Sequence, residues 1–188
     1  MNLPNKITLS RVVLALIFMI FFYLPGITMH YIAMALFIIA NLTDMYDGYL
    51  ARKTGVVTGF GKFMDPLADK ILVSIVFLAL LDKGILSAWI ISLILVREFI
   101  ITGIRTLAAY KGVAIQASRM AKLKTFIQLI LASWGLCHYL FESSSNRILQ
   151  YIFQPDFILY LSYAALLITY LSGYDYLIKS KKIFAGDL

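Results

Sequence analysis

Long apolar runs follow one another along this chain, and a backbone passing through hydrocarbon must satisfy its polar groups internally, as helices or closed barrels do. Six such segments can be drawn, at about 7–24, 30–52, 65–81, 87–110, 118–141 and 156–178. They are too long and too continuously apolar for the alternating strands of a membrane barrel, so helices are expected. Composition agrees. Of the 188 residues, 61% are hydrophobic and 14% charged, against about 25% charged in an ordinary soluble domain. A soluble globular fold and a disordered chain are both excluded on that ground. The expected architecture is all-α: one domain, 1–188, built as a polytopic bundle of six transmembrane helices. No small-x-small cleavage pattern follows Leu24-Pro25-Gly26, so the first segment is expected to remain as a span.

Orientation follows from the basic residues. Lys83 and Arg147 lie in loops on one side. Lys6, Arg11, Arg52, Lys53, Lys62, Lys70, Lys111, Arg119, Lys122, Lys124 and the C-terminal lysines lie on the other. The positive-inside rule then puts both termini in the cytoplasm, for a multi-pass protein of the cytoplasmic membrane. The net charge of +7 is read as orientation and attraction to an anionic lipid bilayer, with no nucleic-acid partner, because no aromatic-interleaved basic stripe accompanies it. Cys137, the single cysteine, allows no internal disulfide and reads as packing; His30 and His138 read as structural.

Carboxylates in such segments need an explanation. Of ten acidic residues, four fall between positions 44 and 69: Asp44 and Asp47 near the end of the second segment, Asp65 and Asp69 at the start of the third. Spacings of three and four put each pair on one helix face. The hairpin between them, expected over 52–64, carries Gly55, Gly59 and Gly61, which allow close approach to a ligand. Four clustered negative charges near lipid would repel and protonate unless met by positive charge. Two divalent cations would balance them. An all-oxygen donor set with no Cys or His nearby favours Mg²⁺ or Mn²⁺. The bland alternative takes each Asp as a helix-end residue, Asp65 before Pro66 being a possible N-cap.

The stretch Asp44-x-x-Asp47-Gly48-x-x-Ala51-Arg52, eight residues, Gly61-x-x-x-Asp65-x-x-x-Asp69 resembles the signature of the CDP-alcohol phosphatidyltransferases. That resemblance implies a six-span bundle with a cytoplasm-facing active site, usually a homodimer. It implies that Asp44, Asp47, Asp65 and Asp69 hold two metals, with Asp69 also the general base on the acceptor hydroxyl. Gly48, Ala51 and Gly61 would leave room for a nucleotide, and Arg52 would offer a fork to a phosphate or the base. The donor implied is a CDP-linked lipid, CDP-diacylglycerol. Asn5, Thr8 and Arg11, three residues apart, are further candidates for binding it.

The acceptor is read from other charges. Arg105, Ser118, Arg119, Lys122 and Lys124 would face a phosphorylated acceptor. The runs Val96-Arg97-Glu98-Phe99-x-Ile101-x-x-x-Arg105 and Lys122-x-Lys124-Thr125 are similar to the branch of the family that uses sn-glycerol 3-phosphate. The product would be phosphatidylglycerophosphate. Arg97 and Glu98, being adjacent, are expected to point in different directions and to form a structural ion pair within the bundle. Siblings that use inositol phosphate, serine or phosphatidylglycerol are the enzymatic alternative. A divalent-cation transporter is the non-enzymatic one, and it would want its carboxylates nearer mid-membrane.

Overall fold

The computed structural model describes the backbone at 3–54, 59–110, 118–142 and 146–184, and side chains within those stretches at 9–43, 67–68, 70–108, 118–142 and 146–178. Among the described residues the chain is all-helical, with no strand. The elements are α1 (Leu3–Tyr23), α2 (Ile27–Thr54), α3 (Gly59–Asp82), α4 (Ala88–Tyr110), α5 (Arg119–Phe141), α6 (Arg147–Ile152) and α7 (Pro155–Phe184). The chain divides into two compact units, Met1–Ala79 and Leu80–Leu188.

In the first unit α1 packs against α2. The turn between them passes through Gly26, whose φ of 109° an L side chain rarely adopts. Arg11, Ala15, Phe18 and Phe22 form the buried stripe of α1, and Ala33, Phe37 and Ala40 that of α2. These spacings of three, four and seven are one face of a helix. Phe18 stacks on Phe22 with ring centres 5.6 Å apart and meets Phe37 at 6.4 Å. His30 lies 6.2 Å from the Phe22 ring, a packing role as expected. The opposite faces are just as apolar: Leu9, Val13, Leu16, Ile20, Ile38, Ile39 and Leu42 are all exposed. Helices apolar all round suit surroundings that are themselves apolar.

Two boundaries correct the sequence reading. The hairpin expected over 52–64 is mostly helix: α2 runs to Thr54 and α3 starts at Gly59, and 55–58 lie outside the described residues. Arg52 and Lys53 near the end of α2 complement the helix dipole and favour its continuation. Phe60, Phe63 and Met64 recur at helical spacing ahead of Pro66. Asp65 is therefore an interior residue of α3 and not its N-cap.

In the second unit α7 packs against both α4 and α5. Its buried residues are Ile158, Ser162, Ala165, Thr169, Ser172, Gly173 and Tyr176. The small ones among them let neighbouring helices approach closely, the usual device where hydrophobic association is weak. The turn from α3 to α4 uses Gly84 at φ 74°. Trp134 of α5 sits between Phe153 and Phe157, at 5.0 and 4.5 Å between ring centres, and His138 Nδ1 meets the Phe153 carbonyl at 2.5 Å. Helix α6 was not expected. It is a single exposed stretch capped by Asn146, whose side chain accepts from Ile148 N at 3.0 Å.

Among the described residues one stretch, Arg147–Ile178, is long and apolar enough to cross a membrane; Leu9–Tyr23 and Ile27–Thr43 are shorter apolar helices.

Helix α5 begins on Ser118, whose backbone is extended (φ −72°, ψ 163°) and whose Oγ accepts from Ala121 N at 3.2 Å. Replacing Ser118 with Ala removes that bond and should cost about 1 kcal/mol, whereas Gly should cost only a few tenths. Unfolding in detergent, followed by circular dichroism, measures the difference.

Candidate active site

The four aspartates belong to two helices joined by a short connection. Their side chains lie outside the described residues, as do those of Gly48, Ala51, Arg52 and Gly61, but the helices that carry them are described. At about 1.5 Å per residue, Asp47 stands about 10 Å along α2 from Thr54 and Asp44 about 15 Å. Along α3 from Gly59, Asp65 stands about 9 Å and Asp69 about 15 Å. The two pairs thus occupy matching levels on either side of the connection. Pro66, with no N–H, leaves the Lys62 carbonyl without its intrahelical donor beside Asp65. Among the described residues no group of three or more His, Cys, Asp or Glu forms; the aspartates are not among those residues.

The side chains of Asn5 and Thr8 also lie outside the described residues, although both belong to α1. Arg11 is 3% exposed. A charged group so deep in apolar surroundings has to be compensated.

The basic residues of the second unit divide sharply. Arg105, Arg119 and Lys122 are exposed. The Ser118 hydroxyl is engaged as the cap of α5. Lys124 is buried, and its Nζ meets Glu98 Oε1 at 2.5 Å. The same oxygen takes Arg97 Nη1 at 3.2 Å and Gln128 Nε2 at 3.4 Å. Arg97 Nη2 donates to Ser172 Oγ at 2.9 Å, and Gln128 Nε2 to Thr169 Oγ1 at 3.0 Å. Thr102 returns its hydroxyl to the Glu98 carbonyl at 2.7 Å. One carboxylate therefore ties α4 to α5, and the residues around it tie both to α7. The expected ion pair within the bundle is present, but Arg97 and Glu98 bond each other and do not diverge. Sequence reasoning missed Gln128, Thr169 and Ser172. Their only early signal was polarity inside an apolar run.

Residues 1–171 match the family model described as CDP-alcohol phosphatidyltransferase. The chain belongs to that family. Proteins named CDP-diacylglycerol–glycerol-3-phosphate 3-phosphatidyltransferase are among its relatives. That of Bacillus subtilis is 45% identical over 151 residues, covering 74% of this chain and 78% of its own. That of Rickettsia felis is 36% identical over 183 residues, covering 97% of each. That of Wigglesworthia glossinidia brevipalpis is 42% identical over 135 residues, covering 69% of this chain and 74% of its own. The family is membrane-associated.

Removing one member of a buried ionic cluster strands the others. Glu98→Gln leaves Arg97 and Lys124 without their shared carboxylate and should destabilise by about 3–5 kcal/mol. Arg97→Gln leaves the Lys124–Glu98 pair and should cost less. Thermal unfolding of the two variants in detergent gives the order.

Proposed function

We propose that this protein transfers the phosphatidyl group of CDP-diacylglycerol to sn-glycerol 3-phosphate, giving phosphatidylglycerophosphate and CMP. The observation that carries this reading is the end-to-end match, 97% of each chain, to a relative of that name.

The chemistry assigned to the residues is as follows. In this reading α2 and α3 bring Asp44 to the level of Asp69 and Asp47 to that of Asp65. Four carboxylates with no Cys or His in either helix beyond His30 are a hard-oxygen donor set, and they fit two divalent cations, Mg²⁺ or Mn²⁺. Bound there, such ions supply positive charge against the charge that builds on the pyrophosphate. Asp69 takes the proton of the acceptor hydroxyl. The acceptor oxygen then bonds to the phosphorus that carries diacylglycerol, and the bond from that phosphorus to CMP breaks. Gly48, Ala51 and Gly61 admit the nucleotide, while Arg52, Asn5, Thr8 and Arg11 bind the CDP-lipid. Arg105, Ser118, Arg119, Lys122 and Lys124 receive the acceptor phosphate, with Lys124 presented from the Glu98 cluster.

The protein works as a six-span homodimer in the cytoplasmic membrane, both termini inside. The apolar outward faces of α1 and α2 and the membrane-length stretch Arg147–Ile178 support the spans. Exposed Tyr160, Tyr163, Leu167, Tyr170 and Tyr174 give α7 an outward stripe that a second copy can cover.

Purified protein given CDP-diacylglycerol and a panel of labelled alcohols should release CMP with glycerol 3-phosphate and fall to background on addition of EDTA. Turnover only with inositol phosphate or serine overturns the acceptor. Asp69→Asn should lower kcat by at least about a hundredfold, as loss of a general base does, while the protein still inserts in membranes. Cysteines placed at Lys83 and Lys181 in a Cys137→Ala background should react with an impermeant maleimide from opposite sides of the membrane.

A further inference from the structure

The Glu98 cluster does more than join helices. A lysine carries three donors on a flexible stem and loses much rotamer freedom when it is fixed. Here the ammonium meets Glu98 Oε1, and that contact fixes where it stands. Glu98 is itself held by Arg97 and Gln128. Arg97 is held by Ser172 and lies against the backbone of α7 at Gly173, where an added Cβ would stand 2.8 Å from its Nε and 3.5 Å from its Cγ and Nη2. That Nε is buried and, among the described residues, has no hydrogen-bond partner. At position 173 only a residue without a side chain leaves room for the guanidinium as it stands.

We propose that Glu98 and Gly173 are positioning residues for the acceptor: Gly173 admits Arg97, Arg97 and Gln128 fix Glu98, and Glu98 aims the Lys124 ammonium at the acceptor phosphate. The proposal rests on the reading above, in which Lys124 receives that phosphate. Its logic is preorganisation: a cation already ordered loses less on binding its anion than one that must be ordered by it.

The test uses full-length protein in detergent, with glycerol 3-phosphate and CDP-diacylglycerol varied separately. Gly173→Ala keeps every charge and displaces only Arg97. Glu98→Asp keeps the charge and draws it back from Lys124, and it serves where the first variant fails to fold. Each should raise KM for glycerol 3-phosphate about tenfold, the scale of one charge-assisted hydrogen bond. KM for CDP-diacylglycerol should not change, and kcat should stay within about twofold, since the bond is made in ground and transition states alike. A fall in kcat with both KM values unchanged marks a merely structural cluster and overturns the proposal. Lys124→Gln separates the two levels. If it leaves the glycerol 3-phosphate KM unchanged, the acceptor role of Lys124 fails and the proposal with it. If it raises that KM while Gly173→Ala and Glu98→Asp do not, only the positioning role fails.

Discussion

Charge placed among apolar helices has to be answered by opposite charge, and this constraint governs both units of the chain. In the second unit the answer comes from the protein itself. Glu98 is 6% exposed and collects Arg97, Lys124 and Gln128 on one oxygen. Breaking up such a cluster is far more costly than forming it is rewarding, so the arrangement holds α4, α5 and α7 to one mutual geometry. In the first unit Asp44, Asp47, Asp65 and Asp69 bring four carboxylates on two helices. In the proposed mechanism the answering charge there is brought by divalent ions. The same physics thus gives a permanent lock in the second unit and, in the proposed mechanism, a loadable site in the first.

Apolar surroundings also change what holds helices together. Burying a leucine gains little when its alternative is another hydrocarbon, so contact quality and interhelical hydrogen bonds decide the packing. Helix α7 shows the result. Its inner face, Ser162, Ala165, Thr169, Ser172 and Gly173, is small or hydroxylic, while Tyr160, Leu167 and Tyr174 face outward. Ser172 and Thr169 are long-range partners of Arg97 and Gln128. The stripe that lets α7 come close is therefore also the stripe that completes the polar cluster, and packing and site geometry cannot be varied independently at Gly173.

What the sequence made legible was local. The extent of the apolar runs placed α4 and α5 almost to the residue. The aspartate pairs were visible because each is a spacing within one helix. The misjudged boundaries have a common cause. Pro66 is a strong start signal and the glycines between 55 and 61 strong turn signals, yet helical periodicity on both sides overrode them, and α2 and α3 extend into the expected hairpin. Helix α6 was too short to leave a period. The Glu98 cluster was only half legible. The bond between Arg97 and Glu98 is one step in sequence, but Gln128 and Ser172 reach it from 30 and 75 residues away, and such pairings have no signature in one chain's order.

The longer helices bear on how a site of this kind keeps its shape. Had the carboxylates stood at the edges of the glycine-rich hairpin expected over 52–64, their spacing would have followed every fluctuation of that loop. Instead Asp47 and Asp65 lie about two turns inside α2 and α3, and Asp44 and Asp69 nearly three. Their separations within each pair are then fixed by helix geometry. Groups carried on regular helices hold position better than groups on loops. The proposed reaction, which needs four oxygens, a nucleotide and an incoming hydroxyl in register, favours that solution. In the proposed mechanism the glycines at 48 and 61, carried on the same two helices, admit the nucleotide.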